Sequence, residues 1–461
     1  MDVEDRRLQV EVDQMNTPPK EQPSLTMQQT MQAWWPLAAS MVLMTLEGPA
    51  QSAIVARLAD PEVNLAAWGG VVSPFTFVIA APIIMMISAA TALTQDYASF
   101  LKLRRFMLHT GFVLVAIHAL VAFTPLYDLV ARHIIGAPEV IIEPGRIGMR
   151  IITPWVLAVG YRRFHQGVMI RFGHSKAVGA GTVIRLGAIL VTLLLGYVIG
   201  TIPGIVVACT ALTIGVIAEA LYAGLRVRSI VRDDIIPAPP TAPLTTRAFL
   251  AFYVPLVLTS LIWVIIQPFG SAAMSRMPEA LASLAVWPVV NSLLFLLRSP
   301  GMALNEVVVA QMGRPGATHT LRRFTALLCA GMVAITLLIV VTPLGNLWFD
   351  VVMALPESLA RLSQTALWLG IGLPVLAVLM SWFQGRILYS RRTRSITVAT
   401  TLYSLLMVAI LGAGIATQRW IGLYVAVAAN GIAGLAQAGW LWYKSRAVWY
   451  GPRTAVIPPS D

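Results

Sequence analysis

Leu103-Arg104-Arg105-Phe106, Thr124-Pro125-Leu126, Pro138-Glu139 and Gln166-Gly167 return as Leu321-Arg322-Arg323-Phe324, Thr342-Pro343-Leu344, Pro356-Glu357 and Gln384-Gly385, every pair 218 residues apart. A register held that long marks an internal repeat. It extends outward in both directions. Pro36-Leu37 and Pro49 match Pro255-Leu256 and Pro268 at an offset of 219, as do Trp68 and Ser73 with Trp287 and Ser292, and Pro82 returns as Pro300 at 218.

The repeated material is apolar. Of 461 residues, 57% are hydrophobic and 12% charged, about half the charged share (~25%) of an ordinary soluble domain. Such a chain cannot cover a water-facing surface. Apolar stretches of roughly 20 residues, enough to cross a bilayer, recur from Trp34 to Tyr443 and read as about twelve helical spans. Their centres fall near Leu46, Ile79, Ala116, Gly160, Ile189, Thr213, Val264, Leu294, Ile335, Val375, Val408 and Ala429. The expected fold is an all-α, polytopic membrane protein of two six-helix bundles. Because each repeat holds an even number of spans, it enters and leaves on one side, so the bundles are parallel repeats and not inverted ones.

Lys and Arg cluster in every second loop: Lys102, Arg104 and Arg105; Arg171 and Lys176; Arg226, Arg228 and Arg232; Arg314, Arg322 and Arg323; Arg391, Arg392 and Arg394; Lys444 and Arg446. That alternation puts both termini in the cytoplasm of a cell membrane. The expected organisation is a disordered tail at 1–31, bundles at 32–228 and 248–444, a cytoplasmic linker at 229–247 with Pro237, Pro239, Pro240 and Pro243, and a tail at 445–461. The loop arginines account for most of the +12 net charge, so nucleic acid is not an expected partner. Cys209 and Cys329 both fall inside spans and imply no disulfide framework.

Pro49 and Pro268 lie mid-span at equivalent places in the repeats, where each removes a backbone donor and kinks its helix. Matched interruptions point to a midplane site between the halves, although such prolines can also simply shape packing. Glu47, beside the first kink, suits coupling to a proton or cation; the alternative is a carboxylate neutralised by a structural arginine. Its repeat equivalent is Ile266, so any such role is asymmetric.

Arg162, His165 and Gln166 share a helix face and can converge on one ligand. Guanidinium groups pair bidentately with carboxylate or phosphate, which favours an anion. The candidate substrate-binding set is Arg162, Arg163, His165, Gln166, Gln384, Asn291 and Arg298, with snorkelling to the headgroups as the competing reading for Arg163 and Arg298 and the favoured one for Arg185. Glu219 and Glu306 read as interfacial salt-bridge partners of loop arginines. His118 is isolated in span three, no metal site or cofactor is expected, and no P-loop, Gly-x-Ser-x-Gly or His-Glu-x-x-His motif is present.

Two parallel six-span bundles with bent first and seventh helices resemble the superfamily of multidrug and toxin extrusion carriers, polysaccharide and lipid II flippases. Within it, Leu65-Ala66-Ala67-Trp68-Gly69 with Ser73, Phe77 and Pro82, then Gln166-Gly167-Val168-Met169-Ile170-Arg171 leading to Val178-Gly179, and Trp287-Pro288-Val289 with Pro300 are similar to the progressive ankylosis family of animal membrane exporters of citrate, ATP and pyrophosphate. The resemblance implies alternating access by two rocking lobes. Cationic drug exporters of the superfamily rely on acidic cavity residues, whereas intramembrane arginines here match or outnumber carboxylates. The expected function is therefore an ion-coupled secondary exporter of small organic or phosphorylated anions, not an enzyme, for which a monomer suffices. Membrane lipid, the cargo and a coupling proton or cation are its expected partners. A flippase for a lipid-linked pyrophosphate, or a multidrug exporter, is the alternative.

Overall fold

A computed structural model describes residues 24–239, 243–390 and 394–447. Most of both expected tails, Pro240 of the linker, and Arg391 and Arg392 lie outside the described residues. Among the described residues there are helices and turns but no strand. Eight helices are by themselves long and apolar enough to cross a membrane: Pro61–Leu93, Tyr97–Phe123, Ser175–Ile199, Gly204–Ile235, Ala280–Gln311, Ala317–Val341, Glu357–Tyr389 and Arg394–Thr417. The remaining four expected spans are also helical. They are the broken pairs Met27–Thr45/Glu47–Val55 and Thr246–Val264/Ile266–Met274, the arginine-rich Ile142–Arg171, and Gly422–Ala447. Every expected centre lies within one of these segments or at the break between its halves. They are called spans one to twelve in chain order. The chain is thus a multi-pass, all-helical membrane protein.

The first helix starts at Met27, inside the segment expected to be a tail. Thr26 and Gln29 form a reciprocal capping box, each side chain accepting from the other's backbone N–H, and this satisfies donors that would otherwise be orphaned. At the other boundaries helix continues to Ile230, followed by a π-helical turn at Val231–Ile235, and span twelve runs to Ala447, past the expected limits of 228 and 444.

Spans one and seven bend where their prolines dictate. The inner helices end at Thr45 and Val264, each four residues before Pro49 or Pro268, the residue whose carbonyl loses its N–H partner. Each bent span then divides between the lobes. The Met27–Thr45 half packs on spans eight and nine, while the Glu47–Val55 half turns to spans five and six and keeps contact with span eight. Reciprocally, Thr246–Val264 packs on span two, and Ile266–Met274 turns to spans eleven and twelve while keeping contact with span two.

The exchanged halves are docked by equivalent contacts. Trp34 donates its indole N–H to the Pro300 carbonyl at 2.9 Å and meets Phe324 edge-on, and Tyr253 donates its hydroxyl to the Pro82 carbonyl and meets Phe106 edge-on. The outer helices of each lobe are repeat partners too. Only 28% of the apolar window is buried in spans three and nine and 22% in spans five and eleven, against 67% in span six, so the former present their apolar sides to lipid.

Apart from the exchanged helices, the lobes meet mainly at the end remote from the termini, where residues 61–72 lie against span eight. Gly69 is required there, because a Cβ would sit 2.7 Å from Pro288 Cδ and 2.9 Å from the Leu284 carbonyl. Two arginines fasten this end. Arg57 donates to the Val351 and Val352 carbonyls at 2.6 and 2.9 Å. Arg276 donates to those of Ile135, Ile134 and His133 at 2.6, 3.0 and 3.1 Å. Both acceptor sets end short π-helical turns, Leu347–Val352 and Leu129–Ile135, whose last carbonyls have no partner within the helix and carry partial negative charge. The two latches are repeat equivalents, 219 residues apart, and each spans from one lobe to the other.

Candidate functional site

The first turn of the helix Glu47–Val55, which carries Pro49, places Glu47 against span five. There its carboxylate accepts a hydrogen bond from Arg185 Nη1. Arg185 Nε also lies 3.1 Å from Glu219 Oε2. Glu219, on span six, accepts from Arg162 Nη1 at 2.6 Å and from Gln166 Nε2 at 2.8 Å, both on span four. Four spans are thereby tied by one network, and exposure is graded along it: the side chain of Glu219 is 1% exposed, those of Arg162 and Arg185 10%, and that of Glu47 17%. Close backbone approach holds it together. A Cβ on Gly215 would meet Ile189 at 2.3 Å and the Arg185 carbonyl at 3.0 Å, so only glycine lets span six press against the turn that carries Arg185.

Charges this deep must be paired, because burying a lone one is far more expensive than burying a neutral hydrogen-bonded group. The pairing is incomplete. Arg162, Arg163 and Arg185 stand against Glu47 and Glu219, an excess of one positive charge. Arg163 forms no ion pair among the described residues, and the Nε atoms of Arg162 and Arg163 and Oε1 of Gln166 are buried without a hydrogen-bond partner among them. The arrangement thus leaves one positive charge without a carboxylate among the described residues.

Arg162 and Gln166 converge as their spacing predicts, but on a protein carboxylate. His165 turns away from them. Its Nδ1 lies 2.7 Å from the Tyr161 carbonyl on its own helix, and its ring packs on Tyr161 and Phe164. Arg185, expected to snorkel, points into the lobe because two carboxylates await it there. Glu219, expected at the interface with loop arginines, is instead the centre of the network. Glu306 is exposed and in no ion pair among the described residues. His118 is a packed residue, bridging Thr153 at 3.1 Å and Thr76 at 3.4 Å.

The second lobe replaces the network with neutral groups. Met380, Gln384, Tyr403 and Gln437 occupy the positions equivalent to Arg162, Gln166, Arg185 and Glu219. Tyr403 donates to Asn430 Oδ1 at 3.2 Å, and Gln384 is half-buried on span ten. Arg298 adds a further cation on span eight, with its Nε buried and unpartnered among the described residues. Asn291, also on span eight, is half-buried next to Ser292, the residue against which Gly48 of the kink packs. Among the described residues no cluster of His, Cys, Asp and Glu has the composition of a metal site.

Two residue sets escaped the sequence reading. The pairing of Glu219 with arginines on other helices leaves no local trace. Arg57 and Arg276 did leave one, since they are the repeated cations in loops otherwise poor in them.

Two lobes of six helices, with bent first and seventh spans exchanged between them, define the class: this is the fold of multidrug and toxin extrusion (MATE) transporters of the MOP superfamily. An inward-facing multidrug resistance MATE family transporter superposes with a TM-score of 0.67 at 15% identity, over 91% of this chain and 99% of that one. The lipid II flippase MurJ, in an inward closed conformation, gives 0.68 at 15% identity, over 89% of this chain and 87% of its own. A MOP superfamily transporter from Pyrococcus furiosus, described by the reverse polarity of its binding pocket, gives 0.60 at 17% identity, over 94% and 100%. No protein-family model and no curated protein matches the sequence.

Proposed function

We propose that this protein is a secondary active exporter of small organic or phosphorylated anions that works by alternating access. The observation that carries the reading is the buried, cation-rich network in the first lobe, linked through Glu47 to a kinked helix whose two halves belong to different lobes. A rocking of the lobes must bend or straighten that helix. In doing so it changes the surroundings of Glu47 and of Arg185, so a proton or cation at Glu47 and an anion at the arginines are coupled mechanically. The basic loops favour termini in the cytoplasm. On that orientation the latched end faces outward, a closure on that side that an inward-facing state requires. The cationic excess, the likeness to a transporter described by a reversed pocket polarity, and the sequence resemblance to the progressive ankylosis family all favour anions.

The second reading is a flippase for a lipid-linked pyrophosphate, which the likeness to MurJ favours and whose pyrophosphate the same arginines suit. Proteoliposomes with an imposed pH gradient, offered labelled citrate and pyrophosphate beside a cationic dye, separate the readings. Gradient-driven anion movement is expected, with Glu47→Gln lowering it at least tenfold while inserting normally. Unchanged uptake in that variant at every imposed gradient would remove Glu47 from coupling. Movement of the dye alone would assign a cationic drug exporter, and movement of no soluble compound would make the flippase the better account.

A further inference from the structure

The repeat allows each lobe to be compared with the other position by position, and at the end bearing the termini they differ sharply. In the first lobe, Phe100, Met107, Phe164, Val168 and Val227 are all buried and pack as one apolar cluster between spans three, four and six. Their equivalents at an offset of 218 are Thr318, Thr325, Trp382, Arg386 and Ser445. Exchanging Phe and Met for two threonines and Val for Ser445 removes apolar volume at three of the five positions. Between spans nine, ten and twelve lies a cavity of about 720 Å³, within the range of small-ligand sites (~300–1,000 Å³).

The lining supplies charge. Arg322 and Arg446 are common to both lobes, as Arg104 and Arg228, whereas Arg386 replaces Val168. All three arginines line the cavity, and among the described residues that line it there is no carboxylate. Two of them are held against aromatic faces, Arg386 at 5.4 Å from the Trp382 ring and Arg446 at 3.7 Å from that of Trp442. Trp442 is 44% exposed at the end of span twelve, the position of an interfacial belt residue at headgroup depth.

We infer that this cavity is a binding site for a phosphate-bearing anion, distinct from the network at the first kink and replaced at the equivalent positions of the first lobe by a buried apolar cluster. Guanidinium forks match phosphate oxygens, and the threonine and serine hydroxyls add donors without charge. Basic pockets between spans at headgroup depth suit anionic lipid headgroups, and free phosphate compounds offer the same chemistry.

The test is native mass spectrometry of the purified full chain in uncharged detergent, titrated with phosphatidylglycerol, phosphatidylcholine and inorganic pyrophosphate. Phosphatidylglycerol or pyrophosphate is expected to bind at least tenfold more tightly than phosphatidylcholine. That preference is expected to disappear in Arg322→Gln/Arg386→Gln. It is expected to disappear equally in Thr318→Phe/Thr325→Met, which keeps every arginine and refills the space as in the first lobe. Binding of phosphatidylglycerol that pyrophosphate cannot displace identifies a lipid site, and displacement identifies a site for soluble phosphate compounds. Anion binding that is unchanged in both variants, or no preference over phosphatidylcholine, overturns the proposal.

Discussion

Glu219 shows how a single carboxylate organises its surroundings when no water can. It holds Arg162, Gln166 and Arg185 at once and is almost fully enclosed. Removing one partner of a buried pair typically destabilises by about 3–5 kcal/mol, since the other charge is stranded. Glu219→Ala strands two guanidinium groups and is expected to lose stability of that order, read by denaturation in mixed micelles. Gln166→Ala removes a neutral donor and is expected to lose only about 1 kcal/mol. Equal, small losses would mean that water, not Glu219, satisfies the arginines. Of the residues the sequence nominated, Arg162 and Gln166 were placed together by helical spacing alone. His165, at the same spacing, was lost to a carbonyl of its own helix, a choice made by rotamer and packing that no spacing encodes.

Among the elements, the bent spans carry the most consequence. Their kinks were legible from Pro49 and Pro268, because a missing N–H frees one particular carbonyl wherever the helix lies. The exchange of helix halves between lobes was not, since it depends on which neighbours meet each half. Pro49→Ala restores a donor to the Thr45 carbonyl and lets span one straighten. The expected outcome is a fold at least as stable as the parent but slower transport, by about tenfold if the kink gates the rate-limiting rocking step. Pro268→Ala is expected to act in the same direction on span seven. Transport at the parental rate in both would leave the kinks a packing role only. At the far end, the positive φ angles of Asp60 (49°) and Glu279 (56°) repeat the same reversal before spans two and eight, where a strained turn is the price of symmetry.

At the scale of the whole molecule, the latches of Arg57 and Arg276 bias which end is open. Hydrogen bonds from a charged donor contribute about 1.5–3 kcal/mol when well buried, and less at this partly exposed end. Losing both latches is expected to shift the balance between the two open states by roughly 1.4 kcal/mol or more, a factor of ten in population. Ser271 lies behind the latches, buried and within 3.3 Å of the Gly69 carbonyl. In a background of Cys209→Ala/Cys329→Ala/Ser271→Cys, the Arg57→Ala/Arg276→Ala pair is expected to raise labelling by an impermeant maleimide about tenfold. Unchanged labelling would mean that apolar contact around Gly69 closes this end unaided.

The sequence by itself determined the number of spans, the parallel repeat, the two kinks and the side on which cations gather. Each of these rests on local quantities: apolar length, register, a missing donor, and the position of a charge in a loop. Tertiary structure alone decided that Glu219 joins Arg162 to Arg185, that the bent helices are shared between lobes, and that the second lobe holds a basic cavity where the first is packed solid. Those outcomes depend on which side chains from distant helices fill the same space, and repeat positions that look equivalent along the chain diverge once volume and charge must balance within each lobe.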